Sequence, residues 1–324
     1  MNKKLLHKLL YKLLYLRLLE EEIVKRYPNQ EMRCPTHLCI GQEAVAVGTC
    51  ENLSKKDVVF SNHRAHGHYL AKGGNLESLI AELYGKESGC CGGRGGSMHL
   101  VDLSVNFLGS TPIVGDTIPI ATGAALSLKM KKQNNISVVF FGDGATEEGV
   151  FHESLNFASL KKLPVLFICE NNFYSVFTPF SERQPNREIY KLAEVQGLHS
   201  IREKDGNNVL KVYENVNKCI DYMKNENEPA FIEFLTYRYL EHCGPYCDDH
   251  FGYRPKSEIN KWKNKCPVVS FKKYLLKNNL IDNKKIEEYQ VKIMEKIGKA
   301  FDLAYAAKFP RKSSLEDHVY SKLK

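Results

Sequence analysis

The sequence predicts an α/β protein built on a mostly parallel sheet with helices on both faces. Two apolar runs, Ile136 to Phe141 (ISVVFF) and Leu163 to Cys169 (LPVLFIC), read as buried strands. Between them Val150, Phe151, Leu155 and Ala158 recur at three- and four-residue steps while Glu147, Glu148 and Lys161 fall off that stripe, which marks a helix. A strand, a helix and a strand in succession close a right-handed crossover with the strands parallel, so both strand ends reach one edge of the sheet. At those ends stand Gly142-Asp143-Gly144 and Asn171-Asn172, which makes Asp143 and Asn172, 29 residues apart in the chain, neighbours in space.

Composition narrows the class. A chain of 324 residues can bury one large core with flanking segments, and 43% hydrophobic with 26% charged residues is typical of a globular protein. The 46 basic and 38 acidic residues are spread along the chain without a basic run interleaved with aromatics, so nucleic-acid recognition is not expected. Ten cysteines, some within apolar runs such as Cys169, and no secretory cleavage pattern suggest a reduced, cytoplasmic protein. His242, Cys243, Cys247 and His250 are zinc-ligand types, although their spacing is irregular for a zinc site.

From the N-terminus, residues 1–30 read as one amphipathic helix with Leu5, Leu6, Leu9, Leu10, Leu13, Leu16 and Leu19 on its stripe. Lys8, Lys12 and Arg17 interrupt it too early for a membrane span, and Glu20 to Glu22 argue against a mitochondrial transit peptide, so it packs on the body or a partner. Residues 31–260 carry the α/β domain. Within them come CPTHLCIGQEA with His37, a strand over 57–61, and Asn62 to His68 (NHRAHGH). Arg64, a planar cation at a strand end, suits a diphosphate, and His66 is a candidate for the reaction centre. Gly89 to His99 (GCCGGRGGSMH) is too glycine-rich for a helix or packed strand and reads as a close-packed loop. Ser110 to Pro119 and a small-residue helix over 120–130 precede the crossover; the strand FIEFLTYR over 231–238 and the His242 loop follow it. Residues 261–324 form a C-terminal helical segment without recognisable chemistry.

The strand ends also suggest a ligand. Asp143 and the Asn172 amide oxygen are hard donors suited to Mg²⁺ held jointly with phosphate oxygens, at the sheet edge where open α/β folds bind ligands. Gly142 and Gly144 let a phosphate approach the backbone, and the helix after them would aim its first N–H groups at the anion.

GDG, a 26-residue spacer and NN resemble the thiamine diphosphate motif, and from about Leu13 to Tyr320 the chain resembles the α subunits of two-subunit 2-oxo acid dehydrogenases, pyruvate dehydrogenase (acetyl-transferring) among them. The resemblance implies the thiamine diphosphate-binding fold and Mg²⁺ held by Asp143, Asn172 and the Tyr174 carbonyl. It implies cofactor contacts from His63, Arg64, Gly144, Ala145 and His242, and from the backbone of Ile113 and Val114 around the aminopyrimidine. His37 of the HLxxGQEA-like segment would bind the 2-oxo acid, and His242, after the TYR strand, would move protons or dock a lipoyl arm. The activating glutamate belongs to a pyrimidine-binding domain that this chain has no length for, which implies a β subunit, an α2β2 assembly and a lipoyl acyltransferase partner. Phe301 to Tyr320 would pack on another subunit. Acetoin dehydrogenase α subunits share HRAHGH and LAKG, so acetoin is an alternative substrate, and a two-subunit carboligase or decarboxylase without a lipoyl acceptor is another. Three departures stand out: His63 where many relatives have tyrosine, Pro112 where the pyruvate enzymes have glycine, and LEHC in place of HGHS, which removes a regulatory phosphorylation site.

Overall fold

The computed structural model describes residues 1–32, 34–317 and 319. In chain order its elements are α1 (Lys3–Arg26), α2 (Glu43–Cys50), β1 (Val58–Ser61), α3 (His66–Lys72), α4 (Leu76–Leu83), β2 (Phe107–Ser110), α5 (Thr117–Met130), β3 (Ser137–Gly142), α6 (Gly149–Leu160), β4 (Val165–Asn171), β5 (Tyr174–Ser175), β6 (Thr178–Pro179), α7 (Phe180–Arg183), α8 (Ile189–Val195), β7 (His199–Glu203), α9 (Val209–Glu226), β8 (Ala230–Leu235), α10 (Lys256–Lys263), α11 (Pro267–Lys277) and α12 (Asn283–Ala306). Six strands form one sheet in the order β2-β1-β3-β4-β8-β7, with every pairing parallel. The short β5 and β6 make a separate antiparallel hairpin.

Side chains alternate across the pleat, so the continuous apolar runs of β3 and β4 serve two cores at once. Val138, Phe140, Leu166 and Ile168 join α1, α2, α4, α9, α11 and α12 on one face. Val139, Phe141, Val165, Phe167 and Cys169 join α5, α6 and α8 on the other. The leucine stripe of α1 is buried in the larger core against α2, α11 and α12, and Asn2 caps the helix by accepting from the Leu5 amide at 2.9 Å. Among the described residues, no helix is long and apolar enough to cross a membrane.

Two details differ from the expected elements. The helix after GDG begins only at Gly149, because Asp143–Glu147 first winds a 3₁₀ turn; the cleft is therefore lined by this turn and not by the start of α6. β8 ends at Leu235 rather than Arg238: the buried Arg238 turns away to donate to the Val176 and Leu240 carbonyls and to pair with Asp248. Tyr320, the last residue of the expected terminal segment, lies outside the described residues.

Candidate active site

The ends of β3 and β4 and the segments after β1, β2 and β8 wall a cleft of about 170 Å³ that opens to solvent. This is the carboxyl edge of the sheet, where the strand ends expose backbone and turn residues to a ligand. His37, His63, Arg64, Ile113, Val114, Asp143, Gly144, Ala145, Asn172, Tyr174 and His242 all line it. Ile113 and Val114 stand at its rim, 67% and 48% exposed, an apolar edge left open to water.

One side of the cleft is acidic. In-register pairing of β3 with β4 brings Asp143 to Asn172, whose amide donates to Asp143 Oδ1 at 3.3 Å. Asp143 is 1% exposed; burial pushes its pKa up, and Arg183, paired with Oδ2, opposes that shift. The same guanidinium pairs with Glu147. The Asn172 side chain is oriented at both ends, its nitrogen donating to Gln42 Oε1 at 3.3 Å and its oxygen accepting from the Tyr174 amide at 3.2 Å. The Tyr174 ring points elsewhere, its hydroxyl donating to Glu258 at 2.9 Å, which leaves its backbone as the part that could serve a ligand. Asp143, the Asn172 oxygen and the Tyr174 carbonyl are all hard oxygens, and Arg183 already sets a positive charge against the carboxylate. The donor set fits Mg²⁺.

The other side is basic and lacks an anion. Arg64, 4% exposed, donates to the Leu38 carbonyl at 2.6 Å and the His242 carbonyl at 3.2 Å, and among the described residues it has no carboxylate ion-pair partner. Burial, with Arg238 nearby, pushes its pKa down to about 10. Around it the rings of His37, His63 and His242 lie 4.7 to 5.2 Å apart, centroid to centroid. Burial first and Arg64 second push the pKa of His37 down to about 2 and those of His63 and His242 to about 3. The three imidazoles are thus neutral at pH 7, and among the described residues Nδ1 of His37 is buried without a hydrogen-bond partner. Their nitrogens lie within 4.8 Å of one another, a spacing a metal could bridge. Yet surroundings that reject a proton so strongly also disfavour a dication, and what the buried guanidinium lacks is an anion.

His66 is corrected. It is fully buried behind the cleft, Nδ1 against Glu20 at 3.0 Å and Nε2 against the Ser97 hydroxyl at 2.8 Å, so neither nitrogen is available to a reacting group. Its position is that of a support, since Ser97 also accepts from the His37 amide at 3.4 Å. Among the described residues, His242, Cys243, Cys247 and His250 do not come together as a metal cluster; His242 turns into the cleft and both cysteines are exposed. Four residues that contact candidate site side chains were not singled out for the site in the sequence. Gln42 and Ser97 lay inside motifs already singled out; Glu20 sat on a helix judged by its leucines. Arg183 had no local signal, because the β5–β6 hairpin carries it to Asp143 from 40 residues away.

Comparison with known proteins places the chain in a family. Residues 11–313 match the family model described as dehydrogenase E1 component. The chain is 39% identical over 285 residues to the α subunit of acetoin:2,6-dichlorophenolindophenol oxidoreductase of Bacillus subtilis (strain 168), an alignment covering 88% of this chain and 84% of that protein. It is 34% identical over 311 residues to the chloroplastic pyruvate dehydrogenase E1 component subunit alpha-3 of Arabidopsis thaliana, covering 94% and 72% respectively. With the pyruvate dehydrogenase E1 component subunit alpha of Rickettsia bellii (strain RML369-C) it shares 33% over 305 residues, covering 94% and 92%. A family match over nearly the whole length, with relatives 33 to 39% identical over most of both chains, identifies this chain as a member of the dehydrogenase E1 component family, an α subunit of the thiamine diphosphate-dependent 2-oxo acid dehydrogenases.

Proposed function

We propose that this chain is the α subunit of a pyruvate dehydrogenase-like enzyme that decarboxylates a 2-oxo acid oxidatively and passes the acyl group to a lipoyl acyltransferase. The observation that carries the reading is the charge layout of the cleft, a buried cation without a carboxylate partner among the described residues opposite a buried carboxylate paired with a cation, which suits a diphosphate and Mg²⁺. Asp143, the Asn172 oxygen and the Tyr174 carbonyl would hold the metal. Arg64, His63 and His242 would bind the diphosphate, with Gly144 and Ala145 beside them, and Ile113 and Val114 would contact the aminopyrimidine. Thiamine diphosphate, when bound, supplies the carbon nucleophile and the electron sink that decarboxylation of a 2-oxo acid requires.

The chain's own groups do the rest. His37, neutral and with an unpartnered Nδ1, hydrogen-bonds the incoming 2-oxo acid. His242 holds or moves a proton at the mouth of the cleft. His66 acts as a positioning residue through Ser97. A β subunit completes the site with the activating glutamate in an α2β2 assembly, located in the cytoplasm. The 39% identity to the α subunit of the acetoin enzyme favours acetoin as a second reading of the substrate.

The test is reduction of 2,6-dichlorophenolindophenol by the chain co-purified with its β subunit, with Mg²⁺ and thiamine diphosphate, across pyruvate, 2-oxobutyrate, branched 2-oxo acids and acetoin. Turnover that requires both chains and vanishes in Asp143→Ala supports the reading, and the best substrate chooses between pyruvate and acetoin. Tight cofactor binding without turnover on any of them would point instead to a carboligase or decarboxylase.

A further inference from the structure

The loop between α4 and β2 carries two adjacent thiols that the chemistry above does not use. Cys90 and Cys91 sit half-buried on a turn, and their sulfurs and the Glu82 carboxylate lie within 4.8 Å of one another. Such a trio suggests a metal site, but Glu82 is not free to ligate. One of its oxygens accepts from the amides of Cys91 (2.7 Å) and Gly93 (2.9 Å), the other from those of Gly95 (2.6 Å) and Gly96 (3.1 Å). A carboxylate offers about four lone-pair positions, so none is left. Glu82, 1% exposed at the end of α4, is the peg around which the loop winds. The winding needs glycine at Gly93, where φ is +75° and a Cβ would stand 2.6 Å from the Gly85 oxygen.

What remains is a dithiol. The Cys91 thiol donates to the His99 carbonyl at 3.0 Å, which leaves it beside the Cys90 sulfur. The pair is next to solvent, in contrast to the buried thiols of Cys39, Cys50, Cys169, Cys219 and Cys266.

We propose that Cys90 and Cys91 form a chelating site for trivalent organoarsenicals. In the reaction an arsenic(III) oxide gives up its oxygen as water, with one proton taken from each thiol, and two arsenic–sulfur bonds close a ring across the Cys90–Cys91 peptide. Arsenic stays trivalent, so neither oxidant nor reductant is required. The second bond forms intramolecularly, which raises retention over a single-thiol adduct by about 100-fold or more.

The experiment uses the protein purified with its partner subunit and phenylarsine oxide as probe, followed by desalting into excess 2-mercaptoethanol and mass analysis of this chain. One phenylarsenic group per chain is expected to survive the monothiol, to leave with 2,3-dimercaptopropanol, and to map by proteolysis to the peptide containing Cys90 and Cys91. Cys90→Ser and Cys91→Ser, made separately, each lower retention by about 100-fold, whereas Cys243→Ser leaves it unchanged. Peptide mapping on the unsubstituted protein decides the matter even where a serine variant folds poorly. Label that maps elsewhere, that persists in both serine variants, or that washes out with monothiol overturns the proposal.

Discussion

At Arg64 the fold buries a positive charge and hands it only carbonyl oxygens, an arrangement that becomes favourable when an anion arrives. Hydrogen bonds to charged groups contribute about 1.5 to 3 kcal/mol, so Arg64→Met is expected to weaken thiamine diphosphate binding by about 10- to 100-fold, read by calorimetry in the presence of Mg²⁺. The histidines around it make acid the chain's weak side. An unfolded histidine takes up a proton near pH 6.5, whereas His37, His63 and His242 resist protonation in the fold down to about pH 2 to 3. Between those limits the unfolded state binds more protons, so stability is present above pH 6.5 and is lost as pH falls, by up to about 1.4 kcal/mol per pH unit for each histidine. Urea midpoints measured from pH 7 to pH 4 should fall accordingly, and His63→Tyr should flatten the slope. At this scale the sequence was readable where chemistry and spacing coincide, as at Asp143 and Asn172. It was unreadable at His66, because nothing in HRAHGH tells which imidazole turns outward and which is spent on Glu20 and Ser97.

Among the elements, β3, β4 and their crossover helix were legible because a parallel sheet buried on both faces needs continuous apolar runs, while a helix covering it needs only a stripe. The start of α6 was not: Glu147 and Glu148 fit a helix as well as a 3₁₀ turn, and the choice is made by the packing of the GDG turn against β5, a contact between segments far apart in the chain. α1 shows the same division. Its stripe was evident, but its depth was not, and the structure sinks Leu9, Leu13 and Leu19 to 0% exposure while Glu20 reaches the Cys39 amide at 2.5 Å. Leu13→Ala is therefore expected to destabilise the whole domain by about 2 to 5 kcal/mol, measured as the urea midpoint of the cofactor-free protein. A helix that merely rested on the body would show a far smaller change.

For the molecule as a whole, the family could be read from motif order, and the cleft bears out the expected convergence of distant segments on one sheet edge. The link that local sequence could not express is Arg183, which the hairpin swings onto Asp143. That ion pair has a kinetic consequence. On the proposed reading, in which Asp143 would hold Mg²⁺, the metal competes with the guanidinium paired to Oδ2, so the loading rate should stop rising at high Mg²⁺ and level off at the rate at which Arg183 departs. Stopped-flow mixing of cofactor-free protein with thiamine diphosphate and increasing Mg²⁺ should show the plateau, and Arg183→Ala should abolish it. Freshly made protein would then reach full activity after a delay set by its own arginine, however much cofactor surrounds it.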